Sequence, residues 1–522
     1  MAYDEVYDVV IAGGGPVGLM LACELCLAGI GVVVIERLTE PDLTIKAGVI
    51  NRPSADAFCR RGLLPELAAA QQRRADHFKS FENGLAHNPK SGRRRFGRHF
   101  AGMLVDWDLH DAADPDFADQ GPAGSVTMVS QQDVERVLAD HAAALGVELR
   151  RGTELTGFVA DSDQVLVHAG GRRIRARWLV GCDGGRSTVR KIAGFDFPGT
   201  GPGITGHQAV VEMTGAEALE PGWNHTGRGV YLFGPVPGRI LTVEFDGPPA
   251  ERDAPVTIGE VQASVRRVTG ADITITGMDT ATRFTDNARQ ATSYRLGRVL
   301  LAGDAAHVHA PFGGQGLDLG IGDAMNLGWK LAAEINGWAP PGLLDTYTAE
   351  RHPIGAWVLD WTRAQAALMR PEPNACALRE VVSELMGTVA GVTYFVKRLS
   401  GAWQRYNLPG DHPLVGRTAP DLTLSDGSWL SSHCGDGKAL LLDLTDDAGV
   451  RACADGYAGR VRVLAIGCPY RPDLAGLLLR PDGHVIWAGQ RPATADPLRA
   501  APLRAALRTW FGLPLPVSAG TA

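Results

Sequence analysis

The first 36 residues constrain the fold more than any other part of this chain. Val6-Tyr7-Asp8-Val9-Val10-Ile11-Ala12 reads as a buried strand, and Gly13-Gly14-Gly15-Pro16-Val17-Gly18 follows at once. Leu19 to Ala28 then reads as a helix, and Val32–Ile35 as a second, β-branched strand ending at Glu36 and Arg37. Strand, G-x-G-x-x-G turn, helix, strand and terminal acid stand in the order of a dinucleotide-binding βαβ unit. Gly13, Gly15 and Gly18 let the backbone approach a pyrophosphate. Pro16 suits the first helical turn, and the helix N-terminus offers free N–H donors. Glu36 lies 18 residues past Gly18, near the spacing of a carboxylate that accepts from a ribose hydroxyl. Arg37 is assigned to the same cofactor site.

The unit occurs once. A disulfide reductase that binds two nucleotides would need a second one and a reactive cysteine pair. Cys23-x-x-Cys26 lies inside the helical pattern of Leu19, Leu25 and Leu27, which makes it structural. One nucleotide is therefore expected to reside in the fold, and this motif alone does not say which. The other cysteines are scattered and no secretory signal precedes them, so the reading is free thiols in a reducing cytoplasm. At 522 residues, two to four domains are expected, with cores that need neither disulfides nor metal. A net charge of −7 does not suit a nucleic-acid partner. Val17 to Ile35 is long and apolar, but Gly29 and Gly31 break it into helix and strand, against a membrane span.

Two later motifs end strands in carboxylates. Arg177-Trp178-Leu179-Val180-Gly181-Cys182-Asp183-Gly184 runs into an Asp-Gly turn, with Arg190 and Lys191 on a following helix. Val299-Leu300-Leu301-Ala302-Gly303-Asp304 leads through Pro311-Phe312-Gly313-Gly314-Gln315-Gly316-Leu317-Asp318 into a helix from Ile321 to Ile335. Strand-to-helix junctions present free backbone N–H groups. Asp183 and a buried Asp304 are expected to accept from ribityl or ribose hydroxyls.

With these residues the chain resembles the FAD-dependent aromatic hydroxylases typified by para-hydroxybenzoate hydroxylase, the motifs matching in order over about 330 residues. Within that family it is most similar to actinobacterial hydroxylases that tailor aromatic polyketides. Tyr294-Arg295-x-Gly297-Arg298, Tyr347-x-x-Glu350-Arg351-x-Pro353 and a C-terminal extension carry that closer likeness. The resemblance implies an α/β FAD-binding domain (Rossmann-like, glutathione-reductase-type), an antiparallel-sheet substrate domain and a C-terminal thioredoxin-like α/β domain. The divisions expected are 1–75, 119–200 and 290–405 for FAD, 76–118 and 201–289 for substrate, and 410–522 for the tail.

The resemblance also assigns residues. Gly13–Gly18 binds the ADP half of FAD, Asp183-Gly184 lies near FAD and the reduced nicotinamide, and Gly303-Asp304 holds the ribityl phosphate side. Lys46, in Lys46-Ala47-Gly48-Val49, stands where the family has Arg. Gln131 matches an FAD-binding Gln. Pro311 falls beside the reacting flavin carbon, with Gly314 and Gly316 in its loop. Leu317 and Asp318 offer backbone N–H groups to the flavin pyrimidine. The family has Asn at the last position, and Asp318 is expected to turn outward and cap its helix.

Residues 200–290 read as strands at Gln208–Met213, Gly229–Phe233, Ile240–Phe245 and Asp272–Thr276. His207, Trp223, His225, Tyr231, Phe233 and Phe245 are the candidate pocket lining, and each taken singly is more simply a core aromatic. Phe78, Phe81, His99, Phe100 and Trp107 are candidates for a second wall. Lys90, Arg93, Arg94, Arg95 and Arg98 read as a solvated loop. Tyr406 to Pro420 reads as a linker. Ala439–Leu444, Val461–Ile466 and Val485–Trp487 read as strands before a helix near Leu498–Phe511. The tail lacks C-x-x-C and reads as structural.

The activity implied is NADPH- or NADH-driven hydroxylation of a small polycyclic aromatic through a flavin hydroperoxide formed with O2. Arg52 is a candidate pocket cation for an oxyanion, and a surface Arg is the plain alternative. Baeyer–Villiger or epoxidising oxygenation, inactivation of a naphthoquinoid antibiotic, and a non-catalytic FAD-binding protein remain open. A monomer or homodimer is expected.

Overall fold

The computed structural model describes residues 5–79, 95–118, 121–234, 236–251, 254–491 and 500–516. The first strand, Glu5–Ala12, sits inside an eight-stranded sheet. Its neighbours are Val32–Ile35 and Arg172–Gly181, both parallel to it. Val299–Leu301 adds to Arg172–Gly181 in parallel, and Glu148–Arg150 adds to Val32–Ile35. Val9–Ala12 and Val32–Ile35 are buried throughout and read as unbroken apolar runs. The long helix Gly316–Ile335 lies against Pro16–Leu27. A Cβ on Gly320 would stand 2.4 Å from Val17, and one on Gly328 2.5 Å from Glu24. Those two glycines let the helices close on each other.

A second sheet is antiparallel, in the order Gly222–Thr226, Gly229–Phe233, Arg239–Glu244, Thr205–Thr214, Thr274–Phe284. The helix Ile258–Thr269 covers one face of it. The sequence reading had only strands in this region. Thr257 as N-cap with Val261, Val265 and Val268 at helical spacing was the signal passed over. Three short strands, Gly199–Thr200, Ala288–Gln290 and His307–Val308, join the two halves.

The tail forms a four-stranded sheet ordered Val461–Ala465, Ala439–Asp443, Leu474–Leu479, Val485–Gln490. The first two pair in parallel and the others antiparallel. Leu474–Leu479 was not foreseen, because it is buried on both faces and lacks alternation. The expected linker is docked: Tyr406 is buried and stacks on His484 at 4.2 Å. Cys434, Cys453 and Cys468 are buried free thiols donating to backbone carbonyls of Leu430, Gly449 and Thr423. Among the described residues no helix is long and apolar enough to cross a membrane, and no group of His, Cys, Asp and Glu could hold a metal ion.

Charge fastens the tail to the rest. Arg61 bonds both Glu24 oxygens, at 2.5 and 2.6 Å, and the carbonyls of Cys434 and Pro481. Arg480 bonds both oxygens of Glu350 at 2.9 Å and also Asp482. Burial raises the Asp482 carboxyl, yet Arg480 beside it prevails and holds it well below the carboxylate range. Removing one partner of a buried pair leaves an uncompensated charge. Arg480→Met is therefore expected to destabilise the protein by roughly 3–5 kcal/mol. Arg480→Met combined with Glu350→Leu should cost clearly less than the two single changes added together, as read by denaturant unfolding.

Candidate functional site

The three carboxyl-terminal strand ends meet at one edge. In the register, Ala12 pairs with Gly181 and Leu301 pairs with Gly181 on its other side. Gly13, Asp183 and Gly303 therefore follow strands that stop level with one another. Gly13 has φ 112°, and a Cβ there would stand 2.3 Å from the Cys182 carbonyl oxygen. Gly15 faces open space at the N-terminus of the Pro16 helix. Only a side-chain-free turn fits this edge and leaves its N–H groups accessible.

Glu36 braces that turn. Its Oε2 accepts from Gly14 N–H and its Oε1 from Leu38 N–H, both at 2.8 Å. Arg37 is exposed beside it. Asp183 Oδ2 accepts from Thr188 and Val189 N–H at 2.7 and 3.0 Å, capping the helix Thr188–Ala193. Its Oδ1 is buried without a partner. Gly184, φ 78°, has nothing within 4 Å of a Cβ position. Asp304 is exposed at the edge, so the expectation of an acceptor already buried by the fold is corrected.

Residues the sequence reading did not assign hold these turns in place. Asp323, fully buried, accepts at Oδ2 from Gly303 N–H (3.0 Å) and pairs with His307 Nε2 (2.7 Å). Its Oδ1 accepts from Arg351 Nε at 2.7 Å. Burial raises the Asp323 carboxyl, but His307 and Arg351 outweigh that and hold it below the usual range. Arg190 bonds the carbonyls of Ala305 and Gly185, tying the two Asp-bearing turns together. Asp323 stands mid-helix with no local signature. Arg351 stood in a recognised motif that gave it no role.

The loop Lys46–Val49 meets the loop that follows Pro311: a Cβ on Gly314 would stand 3.3 Å from Val49. Lys46 pairs with Asp42 at 2.8 Å, Gln131 N–H donates to the Ala47 carbonyl at 2.9 Å, and Arg74 donates to the Gly48 carbonyl at 3.2 Å. Pro311 is exposed, while Phe312 is buried behind it. Gly313 and Gly314 take φ 76° and 62°, so the loop folds tightly into Gly316, the first residue of its helix. Gln365 braces the loop by donating to the Phe312 carbonyl and accepting from Ala101 N–H. Leu317 is buried.

Asp318 is placed differently from the expectation. It does not turn outward or cap its helix. It is buried, its Oδ1 accepting from Asn51 N–H at 2.8 Å and its Oδ2 pairing with Arg98 at 3.2 Å. Arg98 is thus a buried partner and not part of a solvated loop, since a buried carboxylate requires a compensating cation. Phe81, Lys90, Arg93 and Arg94, and the side chains of Phe78 and Arg95, lie outside the described residues. Arg52 starts the helix Arg52–Arg60 and pairs with Asp56 at 3.5 Å.

Strand alternation sorts the expected pocket lining into two sets. Trp223 pairs with Leu232, His225 with Val230, and Val230 with Val243. These residues and Phe245 share the face that packs on Phe100, Phe312 and Trp361. His207, Tyr231 and Phe233 point the other way: Tyr231 and Phe233 pack with Val261 and Val265, and His207 bonds Glu260 at 2.7 Å. That assignment is corrected, because successive strand residues face opposite sides. Of the second wall, Phe100 and Trp107 belong to the same core, and the His99 ring lies 4.2 Å from Trp223. Burial drives His99 down to about 3 and His225 down to about 4, so both are neutral at pH 7.

A single dinucleotide-type strand edge and an aromatic-lined sheet make a nucleotide-cofactor site beside a substrate wall. The orphaned Asp183 Oδ1 and the bare glycine turns fit FAD. Comparison with known proteins agrees. The family described as FAD binding domain matches residues 6–362, and the aromatic-ring hydroxylase C-terminal family matches 412–514. Rifampicin monooxygenase of Streptomyces venezuelae is 40% identical over 93% of this chain and 96% of its own length. The solved anhydrotetracycline hydroxylase of Streptomyces rimosus superposes with a TM-score of 0.82 at 38% identity, covering 98% of this chain and all of that one. Dialkyldecalin synthase of Streptomyces rugosporus is 39% identical over 97% of this chain and 98% of its own. The chain belongs to the FAD-dependent aromatic-ring hydroxylases and is a flavoprotein monooxygenase.

The Asp318–Arg98 pair makes a prediction with a sign. Burial raises the Asp318 carboxyl above its unfolded value, and Arg98 opposes that rise. Without Arg98 the folded value climbs further. A carboxyl raised on folding loses stability as pH rises from its unfolded value to its folded one. The stability gap between wild type and Arg98→Gln is therefore expected to widen as pH rises above the ordinary carboxylate range. Denaturation across a pH series measures it, and Asp318→Asn should flatten that dependence.

Proposed function

We propose that this monooxygenase hydroxylates a polycyclic aromatic of polyketide type, consuming NADPH or NADH and O2. The observation that carries the reading is the level strand edge of Gly13, Asp183 and Gly303, followed in the chain by the Pro311–Gly316 loop, whose Phe312 packs on an aromatic sheet face. FAD, when bound, carries electrons from the nicotinamide to O2 and supplies the oxygen-transferring chemistry.

The chain's own residues bind, orient and exclude water. Gly13, Gly15, Pro16 and Gly18 receive the pyrophosphate, and Glu36 and Arg37 serve the ribose end. Asp183 and Asp304 accept from the ribityl side, where the side-chain-free Gly184 and Gly303 leave room. Lys46, Gln131, Pro311, Gly314, Gly316, Leu317 and Asp318 surround the ring. The Leu317 and Asp318 N–H groups begin a helix and lack intrahelical partners there, so they favour negative charge on an adjacent ring. Asp318 adds no net charge beside them, because Arg98 neutralises it. Trp223, His225 and Phe245 supply an apolar, aromatic wall, and Arg52 stands paired within its helix.

The same reading divides the chain at 1–75, 119–200 and 290–405 for FAD, 76–118 and 201–289 for substrate, and 410–522 for a thioredoxin-like domain. One parallel pair followed by an antiparallel hairpin supports the last assignment. Its thiols stand apart, and burial raises those of Cys434 and Cys453, which supports a structural role. A cytoplasmic monomer or homodimer completes the proposal.

The test is product mass from a panel of anthraquinones and angucyclinones with NADPH and ¹⁸O2. The expected product carries one ¹⁸O with its carbocycle intact. A lactone would point to ketone oxygenation instead. A product of unchanged mass, formed without NADPH, would contradict the oxygenation reading.

A further inference from the structure

Arg239 lies on the inner face of the antiparallel sheet. It pairs in register with Val210, and Leu241 and Val243 of the same strand pair with Gln208 and Gly206. Phe284 crosses Gly206 on this face and meets Phe312 of the Pro311–Gly316 loop edge-on at 6.2 Å. Gln208 reaches the Ile45 carbonyl at 3.3 Å. The face therefore looks onto the two loops proposed to flank the flavin.

Three cations around these loops have carboxylates: Lys46 has Asp42, Arg52 has Asp56 and Arg98 has Asp318. Arg239 has none among the described residues. Its Nε is buried with no hydrogen-bond partner. Its charged neighbour is a second cation, Arg74, which together with burial lowers the guanidinium to about 10. His99 and His225 on the same side are neutral and offer no counter-charge. A half-buried cation whose Nε is shut from water without a partner is a costly arrangement that a native fold keeps where an anion arrives. A guanidinium is planar and forked, which matches a carboxylate or two neighbouring aromatic oxygens. The surroundings, Trp223, Leu232, Leu241 and Phe284, suit fused rings.

We propose that Arg239 anchors an ionised oxygen of the substrate, so that the enzyme selects polycyclic aromatics bearing a carboxylate or an ionised hydroxyl. This rests on the monooxygenase reading above. The FAD-loaded protein is titrated with anthraquinone-2-carboxylate and with alizarin, whose hydroxyl ionises near neutral pH. Anthraquinone-2-carboxamide and the 2-methyl ether of alizarin are the neutral counterparts, and binding is read from the flavin absorbance. In wild type, one or both anions should bind about tenfold or more tightly than their counterparts. Which anion shows the preference identifies the oxygen.

Arg239→Met should abolish that preference by weakening the anions alone, with FAD affinity and neutral-probe binding unchanged. Arg239→Lys should restore part of it and serves if the Met variant does not fold. Equal binding of anions and neutrals to wild type would overturn the proposal. So would loss of FAD from the Arg239 variants with the anion preference intact, which would assign the guanidinium to the cofactor. If wild type neither retains FAD nor oxidises NADPH, the monooxygenase reading itself fails. Normal turnover without anion preference overturns this inference alone.

Discussion

One fully buried carboxylate, Asp323, organises the cofactor edge. Taken from water alone, such a charge would cost several kcal/mol or else take up a proton. It does neither, because Gly303 N–H, His307 and Arg351 converge on its two oxygens. Two of those partners lie at either end of the Gly303–His307 turn, so satisfying the charge also fixes the turn that presents Asp304. Arg351 continues outward to the Leu319 carbonyl and the Tyr406 hydroxyl. Its chain neighbour Glu350 receives Arg480 from the tail, with Lys330 at 3.0 Å. The same helix turn that braces the cofactor edge thus also docks the C-terminal sheet.

Much of this was legible in the sequence wherever backbone geometry dictates residue type. Gly13 must lack a Cβ, the strands ending at Asp183 and Gly303 must be apolar on both faces, and those demands leave motifs. The second sheet was legible as strands but not as faces. Whether Tyr231 or Leu232 faces inward depends on which side the Ile258–Thr269 helix covers, and that is a tertiary fact. His207, Tyr231 and Phe233 were misplaced for that reason alone.

Long-range charge pairing was the least legible. Asp318 and Arg98 stand 220 residues apart, and neither position announces a partner. Reading Arg98 with the basic run before it gave a solvated loop. Reading Asp318 as a helix cap followed local propensity, which tertiary pairing overrode. Arg239 belongs to the same class. A lone arginine beginning a strand carries no signal until the register shows which face it occupies and that no carboxylate among the described residues meets it there.

The account stands or falls on whether Asp323 builds the cofactor edge as well as the fold. The direct measurement is FAD dissociation from Asp323→Asn, set against its unfolding free energy, with His307→Gln as companion. Asparagine keeps the shape but not the charge, so Gly303, His307 and Arg351 are no longer drawn together. Binding of FAD should weaken by about tenfold or more, roughly 1.4 kcal/mol or above, in protein that remains folded with its tail docked. FAD affinity equal to wild type in that folded variant would show that the turn forms without Asp323 and contradict the account.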